Sequence, residues 1–117
     1  MRDIEELRQR LREFARERDW EQYHSPKNLA SALIVEAAEL LEHFQWLTRA
    51  ESEALDAATR DEVEQELADV FIYLVRLADR LDVDLLAAAE RKLALNARKY
   101  PASQVRGSAR KHNKTAE

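Results

Sequence analysis

Residues 33–41 read LIVEAAELL, and residues 66–74 read ELADVFIYL. Each stretch is apolar except for one acidic pair, which is Glu36 with Glu39 in the first and Glu66 with Asp69 in the second. Side chains spaced i, i+3 share one face of an α-helix, with their Cβ atoms about 5–6 Å apart. The two stretches therefore predict two helices, each with a pair of carboxylates set in an apolar surface.

Four carboxylates that converge between two helices would repel one another and would be costly to remove from water. Such groups usually have raised pKa values, pair with cations or bind a metal. Carboxylate oxygens suit Mg²⁺ or Mn²⁺, often with a phosphate-bearing substrate completing the coordination. The alternative is that the acids form solvated stripes on surface helices. The same spacing on two apolar helices favours the metal site.

The composition predicts one all-α domain. The 117 residues include one Gly, two Pro and no Cys, and Ala, Leu, Glu and Arg are abundant. The lack of Cys and of an apolar signal segment at the N-terminus fits a cytoplasmic protein, and no apolar run is long enough for a membrane span. The net charge of −4 argues against binding to polymeric nucleic acid, although it allows a nucleotide substrate.

Helical spacing of apolar residues predicts helices over about residues 3–18, 26–47, 49–57, 60–81 and 85–99. Ser25 before Pro26 is a typical helix start, and capping-box patterns begin at Thr48 and Thr59. Asp82 or Asp84 would cap the last helix. Short connections favour an antiparallel bundle of four to five helices over residues 1–101, followed by a basic, mobile tail over 102–117.

The second predicted helix is apolar around much of its girth. One small bundle cannot cover all of that surface, so we expect burial against another subunit of a symmetric homo-oligomer. A monomer with an exposed apolar strip is the alternative.

Other kinds of catalytic site find little support. His24, His43 and His112 stand without a triad partner pattern or the ligand spacing of a zinc site. Gly107 is the only glycine, so a glycine-rich phosphate loop is excluded. Phosphate binding would have to come from a metal and from cationic side chains.

Aromatic residues lie close in sequence to the acids. Trp20 and Tyr23 precede the first acidic helix, Trp46 follows its acids, and Tyr73 lies one turn beyond Asp69. Aromatic faces beside a metal and phosphate site could stack on a nucleobase. The alternative is that these side chains belong to the core. Lys92 and Asn96 share a face at i, i+4, where a solvated stripe is the alternative to phosphate binding.

These segments together resemble a known family. The segments RDWEQYHSPKNL (18–29), VEAAELLEHFQW (35–46) and ELADVFIYL (66–74) are followed by Lys92, Asn96 and KYP (99–101). In this order and spacing the chain resembles the MazG-like nucleoside triphosphate pyrophosphohydrolases of the all-α NTP pyrophosphatase superfamily. The closest likeness is to the dCTP pyrophosphatase branch, and it covers about residues 3–112.

The resemblance implies a Mg²⁺ site, for which Mn²⁺ could substitute, held by the catalytic residues Glu36, Glu39, Glu66 and Asp69. It implies a nucleotide pocket formed by Trp20, Glu21, Gln22, Tyr23, His24, Asn28, Trp46 and Tyr73, with Lys92 and Asn96 facing the phosphates. It also implies a homotetramer built as a pair of dimers.

The resulting hypothesis is an enzyme that hydrolyses a (deoxy)nucleoside triphosphate, dCTP or a related pyrimidine nucleotide, to the monophosphate and pyrophosphate. Glu39 is our candidate for the carboxylate that orients or deprotonates the attacking water. In the tail, Arg110 and Lys111 are expected to reach the phosphates. The alternative hypothesis is a non-catalytic helical module that senses nucleotides or mediates oligomerisation.

Overall fold

The computed structural model describes residues 1–109, and within this range it contains helices and no strand. The α-helices, in chain order, are α1 (Ile4–Glu17), α2 (Pro26–Glu42), α3 (Arg49–Ser52), α4 (Ala57–Arg80), α5 (Leu85–Lys99) and α6 (Ala102–Val105). A 3₁₀ helix, Glu21–Tyr23, lies between α1 and α2. The prediction of an all-α protein is confirmed.

An aspartate in the left-handed region, rather than a glycine, follows the end of helix α1. Asp19 has a φ of 55°, the Trp20 N–H donates to the Ala15 carbonyl at 2.9 Å, and the Asp19 N–H donates to the Arg16 carbonyl at 3.1 Å. This pair of hydrogen bonds is the Schellman ending, in which Asp is one of the few residues that tolerate the conformation. It turns the chain into the connector, which we define as residues 19–24.

Helix α2 begins where the sequence predicts and ends earlier. The Ser25 side chain accepts from the Asn28 N–H at 3.1 Å, and Pro26 is the first helical residue. The predicted end near Leu47 is wrong, because α2 stops at Glu42 and short turns follow. His, Phe and Trp have lower helix propensity than Ala or Leu, and they fill these turns.

The start of α4 corrects a second prediction. Asp56, not Thr59, is the N-cap, and its side chain accepts from the Thr59 N–H at 2.7 Å. Asp caps a helix at least as well as Thr, and the upstream residue allows the helix to begin three residues earlier. The capping box predicted at Thr48 and Glu51 is present, but α3 is only four residues long.

The chain divides into two compact units, of which the first is Met1–Val83. In this unit α4 packs against both α2 and α1. Helices α2 and α4 are antiparallel. Along α2 and its flanking residues, the residue numbers of the contacts rise while those of their partners on α4 fall: His24 with Arg76, Glu36 with Glu66, and His43 with Glu62. The buried apolar residues of this unit are Ala15, Leu29, Val63, Val75 and Ala78.

The second unit begins at Asp84, whose side chain caps α5 by accepting from the Ala87 N–H at 3.0 Å. This N-cap is one of the two predicted. Helix α6 lies in the first part of the predicted tail. Residues 110–117, which include the predicted phosphate contacts Arg110 and Lys111, lie outside the described residues.

Among the helices of residues 1–109, none is both long enough and apolar enough to span a membrane.

Candidate metal centre

Helices α2 and α4 bring three carboxylates together. One oxygen each from Glu36, Glu39 and Glu66 lies within 4.8 Å of the others, and all three side chains are half-buried. Glu36 and Glu39 share a face of α2 because they are spaced i, i+3, and the antiparallel packing places Glu66 opposite them. We call this group the acidic centre.

The electrostatics of the acidic centre are unfavourable when it contains only protein groups. Burial, followed by the neighbouring Glu39 carboxylate, raises the pKa of Glu36 to about 7. Burial also raises the pKa of Glu66, and the charges of Glu39 and Asp69 add to the rise. Holding like charges at this distance disfavours their ionised forms. These three carboxylates could therefore hold a cation, whose charge would offset their repulsion.

Two orphaned oxygens show that the centre fits a hard metal ion. The Oε2 atoms of Glu36 and Glu66 are buried, and neither has a hydrogen-bond partner in the described structure. Buried polar atoms are normally satisfied, and exceptions call for an explanation such as an ion. Carboxylate oxygens from two helices are the donors that Mg²⁺ and Mn²⁺ take.

Asp69, the fourth predicted ligand, is placed differently. Its side chain is exposed, and it lies outside the group of oxygens within 4.8 Å. Its charge still contributes to the raised pKa values of Glu36 and Glu66. The structure thus brings together three of the four predicted carboxylates, with the fourth one turn further along α4.

The connector holds several predicted nucleotide-binding residues in one short segment. The Trp20 ring meets the Phe14 ring edge to face, with centroids 5.8 Å apart, and its centroid lies 6.4 Å from that of His24. Glu21, Gln22 and Tyr23 form the 3₁₀ helix and are exposed. The aromatic side of the connector is therefore preorganised by Phe14 at the end of α1.

Two side-chain amides brace the connector. The Gln22 amide donates to the Asp19 carbonyl at 3.0 Å, and the Asn28 amide donates to the Tyr23 carbonyl at 3.0 Å. Asn28 thereby ties the first turn of α2 to the 3₁₀ helix. Both predicted binding residues have a visible local structural role.

Trp46 does not belong to the core of the chain. Its side chain is 86% exposed, which contradicts the core interpretation for this residue. Trp20 is also exposed, whereas Tyr73 is half-buried on α4. A large exposed indole is available for a ligand or another subunit.

The remaining predicted phosphate contacts lie in the second unit. Lys92 is exposed and Asn96 is half-buried, both on α5.

The first unit holds a second charged group that was not among the predicted site residues. Asp79 accepts hydrogen bonds from Arg8, Arg12 and Arg76, and we call these four residues the arginine cluster. Arg76 also donates from Nε to the Nδ1 atom of His24 at 3.2 Å. The available signal was Arg76 and Asp79 at i, i+3 within an otherwise apolar part of α4.

Comparison with known proteins identifies the family. A model of the MazG-like family matches residues 32–114. The chain therefore belongs to the MazG-like family, and the predicted resemblance is confirmed. It is 47% identical over 111 residues to human dCTP pyrophosphatase 1, covering 93% of this chain and 65% of the human protein. The bovine dCTP pyrophosphatase 1 is 46% identical, with 93% of this chain and 66% of the bovine protein covered.

The chain also matches a solved structure, and this match covers more of the related protein than the mammalian matches do. The crystal structure of a pyrophosphatase from Archaeoglobus fulgidus superposes with a TM-score of 0.79 and 46% sequence identity. The match covers 84% of this chain and 92% of that chain. By contrast, the chain spans only about two thirds of the length of the mammalian relatives.

Proposed function

We propose that the chain is a nucleoside triphosphate pyrophosphohydrolase that requires Mg²⁺. It adds water across the bond between the α and β phosphates of a (deoxy)nucleoside triphosphate and releases the monophosphate and pyrophosphate. The names of the human, bovine and archaeal relatives support this class of reaction. The human and bovine names also support dCTP, or a related pyrimidine nucleotide, as the substrate.

One observation carries the proposal: the acidic centre combines three clustered carboxylates with two buried, unpartnered oxygens. A purely structural group of acids would be expected to have cationic partners, as Asp79 has within the same unit. The centre instead presents donors for an ion that arrives from solution. This observation supports an enzyme over the non-catalytic module.

Glu36, Glu39 and Glu66 would hold the Mg²⁺ ion, with Asp69 completing the set of carboxylates. The bound ion would neutralise phosphate oxygens and make water more acidic. Mn²⁺, which takes similar ligands, is the expected substitute. Glu39 is our choice for the carboxylate that orients the attacking water or takes up its proton, because it belongs to the cluster and its oxygens are not among the orphaned ones.

Nucleotide binding is assigned to the connector and to exposed aromatic rings. Trp20 and Trp46 are exposed, as is Tyr23, and stacking on a base contributes about 1–3 kcal/mol per base. Tyr73, Glu21, Gln22, His24 and Asn28 complete the proposed pocket. Lys92 and Asn96 on α5, together with Arg110 and Lys111, would neutralise or hydrogen-bond the phosphates.

A homotetramer built as a pair of dimers is part of the proposal. On α2, Ile34, Val35 and Leu41 are 68%, 54% and 57% exposed. Apolar side chains grouped on one helix are typical of a subunit interface. We also retain a cytoplasmic location as a prediction, based on the lack of cysteine in the chain.

The proposal is tested by measuring pyrophosphate release from a panel of ribo- and deoxyribonucleoside triphosphates, with Mg²⁺, with Mn²⁺ and after chelation. We expect release from a pyrimidine deoxynucleotide that stops on chelation and returns with either ion. The control is Glu64→Gln, which alters an exposed acid on α4 outside the acidic centre. This variant should behave as the wild type. Failure of every nucleotide to release pyrophosphate would favour the non-catalytic module.

A further inference from the structure

The last residue of the connector has a buried cationic partner. Arg76 is only 4% exposed, and its Nε–H donates to the Nδ1 atom of His24 at 3.2 Å. A ring nitrogen that accepts a hydrogen bond cannot also carry a proton. The contact therefore selects the neutral tautomer of His24 with its proton on Nε2.

Arg76 is in turn held by Asp79, whose side chain is 3% exposed. The Arg76 Nη1 atom lies 3.3 Å from Asp79 Oδ2. Arg12 binds the same carboxylate with both Nε, at 2.7 Å, and Nη2, at 2.6 Å, while Arg8 donates at 3.0 Å. Paired hydrogen bonds between a guanidinium and a carboxylate fix orientation as well as position. Arg12 and Arg8 of α1 thus fix Asp79, and Asp79 gives Arg76 a buried carboxylate partner one turn away on α4.

The charges around His24 agree with a neutral ring. Burial, followed by the positive charges of Arg76 and Arg80, lowers the pKa of His24, and Glu21 opposes them weakly. Within the described residues, these are the charged groups that bear on the ring, from α4 and from the 3₁₀ helix. Arg76 accordingly acts on His24 both through a directed hydrogen bond and through its charge.

We propose that Arg76 is a positioning residue for nucleotide binding: anchored by Asp79, it holds His24 as the Nε2–H tautomer and thereby fixes the connector. The inference rests on the proposed function, because the connector is the assigned nucleotide-binding segment. His24 then presents a hydrogen-bond donor of fixed identity beside the Trp20 ring. Loss of Arg76 should weaken binding without removing any group of the acidic centre.

The positioning is tested by ¹⁵N NMR of the histidine side chains in the full chain with Mg²⁺ present. The wild type should show His24 with a protonated Nε2 and an unprotonated Nδ1. Arg76→Met removes the donor and the charge, and Asp79 keeps Arg8 and Arg12 as partners. Arg76→Leu also removes the donor and the charge, and it provides a second measurement if the Met variant fails to fold. Both should give a mixture of His24 tautomers, and Arg80→Met should not.

The same variants are then compared in the nucleotide assay. We expect the KM for the preferred nucleotide to rise about 3- to 10-fold in the Arg76 variants, as for one lost hydrogen bond, with little change in kcat. The Mg²⁺ concentration for half-maximal activity should not change. Arg80→Met should match the wild type.

Two results would overturn the inference: a His24 tautomer that is unchanged in both Arg76 variants, or a mixed tautomer with an unchanged KM. Wild-type protein that releases no pyrophosphate is a different failure. It would remove the proposed function, while the NMR signals would still decide whether Arg76 positions the ring.

Discussion

Helix α4 carries two acidic side chains in opposite environments. Glu66 faces the carboxylates of Glu36 and Glu39, and burial raises its pKa. For Asp79, burial alone would raise the pKa, but hydrogen bonds from Arg12 and Arg8 outweigh it and lower the pKa. Both sites form in the same unit by packing against the same helix, yet one repels its own members and the other is satisfied internally.

The difference separates residues that bind from residues that stabilise. A carboxylate with cationic partners contributes to folding in its ionised form, whereas clustered carboxylates oppose folding until a cation is added. An uncompensated cluster persists only if the rest of the fold holds it in place. Here the buried contacts of α2 and α4 and the arginine cluster supply that support. The acidic centre is therefore where we expect the chemistry, and the arginine cluster is where we expect stability, with Arg76 also positioning His24.

The largest expected effect is on turnover. Glu66→Gln removes one charge and one proposed ligand, and kcat/KM should fall by about 100-fold or more, since loss of even the outer partners of metal ligands costs 10- to 100-fold. Without Mg²⁺, the same variant should melt at a higher temperature than the wild type, because repulsion is relieved.

The control for this experiment is Glu64→Gln, which alters an exposed acid on the same helix. Activity and melting temperature should both stay at the wild-type values. A Glu66→Gln variant with normal turnover at ordinary Mg²⁺ concentration would remove Glu66 from the metal centre.

Breaking the arginine cluster should lower stability. Asp79→Asn leaves the buried Arg76 without its anionic partner, and the free energy of unfolding should fall by about 3 kcal/mol. Urea unfolding of the variant measures this change. Asp61→Asn, at an exposed position on α4, should stay within about 0.5 kcal/mol of the wild type. Equal stability of the two variants would contradict the assigned role of the cluster.

The two sites should also respond to pH with opposite signs. The pKa of Glu36 is raised from 4.5 to about 7, so in the metal-free protein this group destabilises the folded state as pH rises through that range. The pKa of Asp79 is lowered from 3.8, so its contribution is present above that value and is lost as pH falls below it.

Melting temperatures measured with chelator between pH 5 and pH 8 test the first half of this prediction. The Glu36→Gln variant should lose less stability than the wild type as the pH rises, and saturating Mg²⁺ should reduce the difference. Parallel curves for the two proteins would show that Glu36 does not titrate in this window.

Trp46, unlike the acids of the two sites on α4, is almost fully exposed. Trp46→Ala should raise the KM of the preferred nucleotide by a factor that corresponds to about 1–3 kcal/mol if the indole stacks on the base. Because the side chain is 86% exposed, it contributes little packing within the chain. Steady-state kinetics together with light scattering distinguish stacking from a role in assembly: an unchanged KM with loss of the oligomer would assign Trp46 to an interface.

The smallest effect concerns an acid whose partner is the backbone. Asp56 caps α4, and hydrogen bonding to the Thr59 N–H lowers its pKa. Asp56→Ala should therefore reduce the free energy of unfolding by about 1 kcal/mol. Thr59→Ala, at the cap position that the sequence pattern favoured, should have a smaller effect. A larger loss of stability for Thr59→Ala than for Asp56→Ala would instead favour Thr59 as the N-cap of α4.

Much of the fold follows from local patterns. The starts of α2, α3 and α5 could be predicted because a cap and the N–H that it accepts from lie within three residues of each other. The end of α2 and the start of α4 were misplaced. Apolar spacing continues past Glu42, and two residues competed to cap α4, so the pattern alone did not decide between them.

The sequence predicted the kind of site, a cluster of carboxylates, better than it predicted which carboxylates belong to the cluster. The i, i+3 spacing placed Glu36 beside Glu39 without any knowledge of tertiary structure. The same spacing put Glu66 and Asp69 on one face of α4, but packing brings only Glu66 into the cluster within 4.8 Å. For Trp46, an aromatic residue in an apolar helix context gave no indication of its exposure.

The sequence by itself determined that this chain is helical and that it carries paired carboxylates at helical spacing, because both depend on neighbours within about one turn. Only the tertiary structure decided which carboxylates meet and which acid receives the arginines. Arg76 and His24 are 52 residues apart, and Asp79 lies 67 residues from Arg12. Contacts at such separations depend on how the helices pack, and the charge of an isolated residue does not reveal whether its partner will be a carboxylate or a guanidinium.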